Sequence, residues 1–383
     1  MSEVRVCHQV NFMLGFGGGE VYTSFFTRAL LQLGWRVRLY VSSANHFWTR
    51  RLPSGVELVP LSSIEALVSA LPTTPTTVFF HTPPQATLIE ILHRQGHYLC
   101  VFAHMPLYGR NPAPFRELDY IVAVSRHVIA SLQAAGIHRY YPEPLLGVAD
   151  LQSSEKPAAQ IVRGQIYDWD RRKVRERIGR MLAPLFVPFL PQAHFERRSG
   201  LTLGIVSRLT PIKQFPLLFS YLAPLLAREQ DINLEIFGSG GYASVRDLRS
   251  ALQPLGKRCR FWGHQADVRA VYGQLDALLT GLPEKEALGL NVIEAQSCRL
   301  PVLAVNAPPF DETVADGITG WRYTDPRQDG GSDFLRALSA LRHGLSADPE
   351  AVDRHLARFS FPAFVARVET LLEAVDRVQE DSR

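Results

Sequence analysis

Short apolar runs of about three to six residues recur along the chain, and polar stretches between them bring apolar positions back every three or four residues. This alternation predicts parallel strands joined by crossover helices. In the first half the predicted strands are 5–10, 37–41, 78–80, 100–103 and 120–124. A helix over 20–33 follows the first of them and stops at Gly34, a residue suited to ending helices. From residue 201 the series starts again, with strands at 201–206, 233–237, 260–262, 277–279 and 301–305. Helices are predicted at 215–228 and from about Leu290 onward. A last apolar stripe, Phe364, Val368, Leu371, Leu372 and Val375, predicts a helix over 359–378.

Two such series in 383 residues predict an α/β protein of two domains, each large enough for its own core. The first is expected over 1–195, ending in a basic, proline-rich insertion or linker at about 151–200 that shows no strand pattern. The second is expected over 200–355, followed by a terminal helix, 359–383, that crosses back to brace the first. No run of eighteen apolar residues occurs, so no membrane span is predicted. Glu3 and Arg5 stand where a secretory leader would need an apolar core, which points to the cytoplasm. The four cysteines, Cys7, Cys100, Cys259 and Cys298, form no metal or redox cluster and read as structural thiols of a reducing compartment.

Charge is uneven. The first 200 residues carry 21 Lys and Arg against 14 Asp and Glu, whereas the rest carries 20 against 23. A basic first half suits an anionic surface or acceptor; with no nucleic-acid motif beside it, nucleic acid is not an expected partner.

Three predicted strands run into polar residues, His81, His104 and Ser125. Ligands of open α/β sheets lie beyond the carboxyl ends of strands, so these positions are candidates. Glu286 and Glu294 flank Gly289 at the start of a predicted helix. Carboxylates so placed accept paired hydrogen bonds from sugar and ribose hydroxyls. The amides of Gly289, Leu290 and Asn291 would face an anion between them. Arg208 and Lys213 lie five residues apart on a strand-to-helix turn and can converge on a diphosphate. Gly17, Gly18 and Gly19, followed by Glu20, join the first strand to the first helix and let the backbone approach a phosphate. This run is not GxGxxG, and the second strand ends at Ser42-Ser43 without an acidic residue, which disfavours a nicotinamide dehydrogenase.

Taken together, the glycine loop with Glu20, His104 after a strand, Arg208 with Lys213, and Glu286 with Glu294 resemble glycosyltransferase family 4. The resemblance is dense from Leu203 to Tyr323 and patchier before it. It implies the GT-B fold, two Rossmann-like domains with a cleft between them, and sugar transfer from a nucleotide-diphosphate donor with retention of configuration. It further implies that Glu286 contacts the transferred sugar and Glu294 the nucleoside ribose. Arg208 and Lys213 would hold the diphosphate, Gly17–Gly19 would close over it, and His104 would lie against the donor sugar. The Phe261-Trp262-Gly263-His264 stretch would read the base edge through its backbone. Donor apart, the implied partner is a glycan or glycolipid acceptor of polysaccharide or lipopolysaccharide synthesis, with no cofactor and no metal. Leu282, Pro283, Ala287 and Leu288 depart from the residues common in that family, which bears on the donor sugar rather than the reaction. Two neighbouring reactions remain open: a sugar-phosphate synthase or phosphorylase on the same fold, and a non-catalytic partner subunit.

Asp168-Trp169-Asp170 matches the metal-binding DxD of a different glycosyltransferase fold. It heads a basic helical pattern, Arg171, Arg172, Lys173, Arg175 and Arg177, where aspartates favour a helix start, and metal binding is not expected. The apolar stretch 181–190 follows. Two readings of this segment stay open, docking at an anionic inner-membrane surface and packing on the protein itself.

Overall fold

The computed structural model describes residues 5–149, 151, 160–168 and 193–381. The chain forms two compact units, Met1–Ala149 with Ala357–Arg383, and Asp150–Leu356.

In the first unit six parallel strands, β1 (Val6–Asn11), β2 (Arg36–Ser42), β3 (Val56–Leu61), β4 (Thr77–Phe80), β5 (Tyr98–Ala103) and β6 (Tyr120–Ala123), lie in the order β3-β2-β1-β4-β5-β6. The sheet is built from the predicted apolar runs plus β3, whose alternating burial and Pro60 suit an edge position. Helices α1 (Gly18–Gln32), α2 (Ala86–Arg94) and α3 (Arg126–Ala134) cross over between strands. Phe26 of α1 meets Phe102 of β5 edge-on at 4.9 Å and Phe79 of β4 at 5.2 Å, which seats the helix on the sheet. Ser125, one of the strand-end candidates, caps α3: its hydroxyl accepts from the Val128 amide at 3.1 Å. The C-terminal helix, Phe361–Asp381, belongs to this unit. Its Phe364 packs edge-on against Tyr22 and Phe25 of α1, and Asp376 pairs with Arg5 at 2.6 Å.

The second unit repeats the plan. Strands β7 (Leu201–Val206), β8 (Ile232–Phe237), β9 (Cys259–Gly263), β10 (Ala277–Leu279), β11 (Val302–Val305) and β12 (Gly320–Tyr323) run β12-β11-β10-β7-β8-β9, all parallel. Its helices include α4 (Phe215–Arg228), α5 (Tyr242–Ala251), α6 (Leu290–Ser297) and α7 (Ser332–His343). Phe215, Phe219 and Leu222 of α4 are buried among Leu203, Leu234 and Phe334. In both sheets the strand order reverses beside the first strand of the unit, leaving a crevice at its carboxyl end.

The expected boundary near residue 195 is corrected. Residues 160–168 and 193–195 pack with the second unit because their backbone pairs there: Val162 bridges His194, Tyr167 bridges Gly240, and the Gly164 amide donates to Trp262 O at 2.7 Å. Asp170, the basic residues 171–177 and the apolar stretch 181–190 lie outside the described residues. Among the described residues no helix is long and apolar enough to cross a membrane.

Candidate functional site

The reversal point of the second sheet lies between β7 and β10. Beyond β7 the chain turns through Ser207–Lys213, held by the Leu209 amide donating to Ser239 O at 2.8 Å. Gln214 takes a left-handed φ of 51° and starts α4. Beyond β10, Gly281 passes so close to this turn that a Cβ on it would stand 2.1 Å from Lys213 O. The next amide, Leu282 N, donates to that same oxygen at 3.2 Å. Two separate strand ends are thereby fastened together, and the Lys213 ammonium forms an ion pair with the Glu286 carboxylate.

Gly289, at φ +84°, turns the chain into α6, and the Asn291 side-chain amide donates to Val206 O at 3.1 Å. The helix therefore begins against the end of β7, and the Val292 amide of its first turn donates back to Gly289 O at 2.9 Å. Glu294 lies one turn further along. Tyr272 donates its hydroxyl to Glu294 Oε2 at 3.2 Å and lies 3.3 Å from Asn291 O. Burial pushes the Glu294 carboxyl up to about 7, opposed by the Tyr272 hydrogen bond and the Lys213 charge. Lys213 thus acts on both carboxylates. Arg208 is exposed on the same turn and makes no ion pair among the described residues.

The carboxyl ends of β1, β4 and β5 form the corresponding place in the first unit. Gly17 caps α1, and Glu20, only 6% exposed, accepts from the Gly17 amide at 2.8 Å. Glu20 is therefore the brace of the glycine loop. Gly19 lies over His104, its Cβ position 3.6 Å from the His104 ring. His104 Nε2 is 3.3 Å from His81 Nδ1, and His81 Nε2 is 3.0 Å from Gln9 Oε1. The rings of Phe102, His81 and His104 stack, with His81 9° from each of the others. Burial pushes His104 down to about 4. His81 is lowered well below the usual imidazole range, first by burial and then by its histidine neighbour.

The backbone of residues 262–264 is hydrogen-bonded within the second unit. His264 N donates to Gln165 O at 3.0 Å, and Gly263 O accepts from Gly238 N at 2.8 Å. Gln265 donates its side-chain amide to Trp262 O at 3.0 Å. The segment 163–167 runs across the end of β9 and accepts from the His264 amide.

Of the expected residues, Lys213, Glu286, Asn291 and Glu294 come together at one crevice, as do Gly19 and His104 at the other. Tyr272 and Gln9 lie outside every motif of the sequence. A lone tyrosine on a short helix and a glutamine inside a strand carry no spacing signal.

Residues 188–340 match the family described as "Glycosyl transferases group 1". The D-inositol 3-phosphate glycosyltransferase of Segniliparus rotundus is 26% identical over 288 residues, covering 72% of this chain and 59% of the relative. That of Rhodococcus jostii is 29% identical over 165 residues, covering 41% of this chain and 36% of the relative. The chain thus spans under two thirds of these relatives. Among solved structures, the lipopolysaccharide outer core galactosyltransferase WaaB aligns with a TM-score of 0.66 at 14% identity, covering 97% of this chain and 99% of that one. Anabaena Alr3699/HepE, in complex with UDP and glucose, aligns with a TM-score of 0.64 at 16% identity, covering 97% and 100%. Both sheets have the 3-2-1-4-5-6 order of Rossmann-like domains. Residues 188–340 are thus similar to the group 1 glycosyltransferases, and the chain shares the two-domain α/β fold, GT-B, of these solved structures.

Proposed function

We propose that the protein transfers a sugar, with retention, from a nucleoside-diphosphate donor to a hydroxyl of a glycan or glycolipid on the cytoplasmic side of the cell envelope. The observation that carries this reading is the junction of Lys213, Glu286 and Glu294 at the reversal point of the second sheet. Glu294 would accept from the ribose hydroxyls and Glu286 from those of the sugar. Lys213 and Arg208 would neutralise the charge that develops on the departing diphosphate. The anomeric carbon–oxygen bond to the diphosphate breaks as the acceptor oxygen bonds to the same face. The acceptor proton passes to an oxygen of the leaving diphosphate. The junction supplies binding and charge, and the diphosphate itself serves as the base.

A phosphorylated polyol is the second reading of the acceptor, supported by relatives named D-inositol 3-phosphate glycosyltransferase. The test is a thermal-shift panel of UDP, GDP, ADP, dTDP and their sugars, followed by transfer assays with lipid-linked glycans and with inositol phosphate. A protein stabilised by no nucleoside diphosphate would overturn the proposal.

A further inference from the structure

We propose that a cavity at the edge of the second sheet binds a phosphate monoester through Arg163 and Arg249, apart from the crevice that carries Lys213 and Glu286. It lies where the end of α5, the outermost strand β9 and residues 163–166 meet, all within the second unit. Its volume is about 470 Å³. Small-molecule sites usually measure about 300–1,000 Å³. The lining includes Arg163, Arg249 and Arg260 with Ile166, Leu252 and Phe261, and no aspartate or glutamate is among its described residues. From β9 the cavity takes Cys259–Phe261, the amino-terminal part, whereas the crevice stands beyond the carboxyl ends of β7 and β10. Phe261 apart, none of these residues belongs to the donor reading.

Three guanidiniums around one cavity repel each other unless negative charge answers them. Glu235, only 1% exposed, pairs with Arg260 at 2.7 Å and with Arg198 at 2.8 Å, so one carboxylate already serves two cations. Among the described residues Arg163 and Arg249 pair with no carboxylate, and both are exposed. Aromatic rings hold them instead. The Arg249 guanidinium stands 4.9 Å from the Phe261 ring and 6.0 Å from that of Tyr167, and Arg163 stands 5.7 Å from the Trp262 ring. An aromatic face steadies a guanidinium without neutralising it. Two forks are thus set at one cavity with their charge unanswered.

The number of forks selects the ligand. One guanidinium matches two oxygens of an anion, so a carboxylate satisfies a single arginine. A phosphate monoester offers three terminal oxygens and nearly two negative charges, enough for both. Its organic side would lie on Ile166, Leu252 and Phe261, the apolar part of the lining. Arg260, held by Glu235, raises the local potential without leaving its partner. Cations steadied before the ligand arrives lose less freedom on binding it.

The test is titration calorimetry of the full chain with glycerol 3-phosphate at low salt, with glycerol as the neutral control. Wild type should bind the ester and not glycerol, and added salt should weaken binding. Arg163→Gln and Arg249→Gln should each lower the affinity about 10-fold or more, as expected for a hydrogen bond to a charged group. The double variant should give no measurable heat. Both side chains are exposed and hold no ion pair, so its melting temperature should match wild type. Arg208→Ala, at the other crevice, should bind the ester as wild type does. Sedimentation with phosphatidylcholine vesicles, with and without phosphatidic acid, identifies the source of the phosphate. Binding of glycerol 3-phosphate assigns a soluble ester. Capture by phosphatidic acid vesicles alone, lost in the double variant, assigns a lipid headgroup. Binding of neither, binding as tight in the double variant as in wild type, or binding lost in Arg208→Ala overturns the site.

Discussion

Lys213 and Glu286, 73 positions apart in the chain, form an ion pair where the turns after β7 and β10 meet. Their side chains retain 19% and 13% exposure, so each charge is largely withdrawn from water and dependent on the other. The Lys213 charge also favours the ionised form of Glu294. One ammonium therefore organises both carboxylates.

Removing the cations should separate their roles. Arg208→Ala should weaken nucleoside diphosphate binding by about 1.5–3 kcal/mol, the range for hydrogen bonds to charged groups, without lowering the melting temperature. Lys213→Ala should weaken binding by a similar amount and also destabilise the fold, because the largely buried Glu286 carboxylate loses its cation. Titration calorimetry and thermal melts distinguish the two. Unchanged affinity in both variants would remove these residues from the donor site.

Gly281→Ala should be costly although it adds one methyl. Its Cβ would lie 2.1 Å from Lys213 O, a backbone atom that cannot step aside without moving the turn. A loss of about 1–3 kcal/mol is expected in urea unfolding, with a fall in donor affinity because Lys213 moves. A variant as stable as wild type would show that the turn is soft, and that the two strand ends are not fastened there.

Acid should destabilise the first unit through its buried histidines. His8 and His104 are held near 4, and His81 is lowered as well, in each case chiefly by burial. Their unfolded values lie near 6.5. The unfolded chain therefore takes up protons between about 6.5 and about 4 that the folded chain refuses. Stability is full above 6.5 and falls as pH drops toward 4. Calorimetric melts across this window should show the decline, and His8→Phe should flatten part of it. An identical decline in that variant would assign the effect to other groups.

Much of this architecture was legible because fully buried parallel strands read as short apolar runs, as at 201–206 and 277–279. Two strands carry no such signal, for physical reasons. Val56–Leu61 is a half-buried edge strand interrupted by Pro60, and Gly320–Tyr323 opens on a glycine that reads as a turn. The boundary near 195 was misplaced because 160–168 pairs as isolated bridges rather than as a strand with its own apolar pattern. At the site, residue type and spacing pointed to Lys213, Glu286, Glu294 and His104. Their partners were not legible: Tyr272 to Glu294, Glu20 to Gly17 and Gln9 to His81 are contacts of the fold, two of them made across separate elements.

Donor binding should strengthen as pH rises through about 7, and Glu294 should be the cause. Burial raises this carboxyl from 4.5 to about 7, so it is mostly neutral below that pH and ionised above it. A carboxylate accepts stronger hydrogen bonds from ribose hydroxyls than a neutral carboxyl does, by about 1 kcal/mol. The sign for folding is opposite. A carboxyl whose folded value is raised stabilises the fold fully below 4.5, and that contribution is lost as pH rises through about 7. Affinity rather than melting temperature is therefore the quantity to follow, by calorimetry with UDP over this range. The step should vanish in Glu294→Gln. In Tyr272→Phe it should move to higher pH, because the phenol hydrogen bond that favours the ionised form is gone. A step that persists in Glu294→Gln would belong to the phosphate or to another residue, and the proposed contact of Glu294 with the ribose would fall.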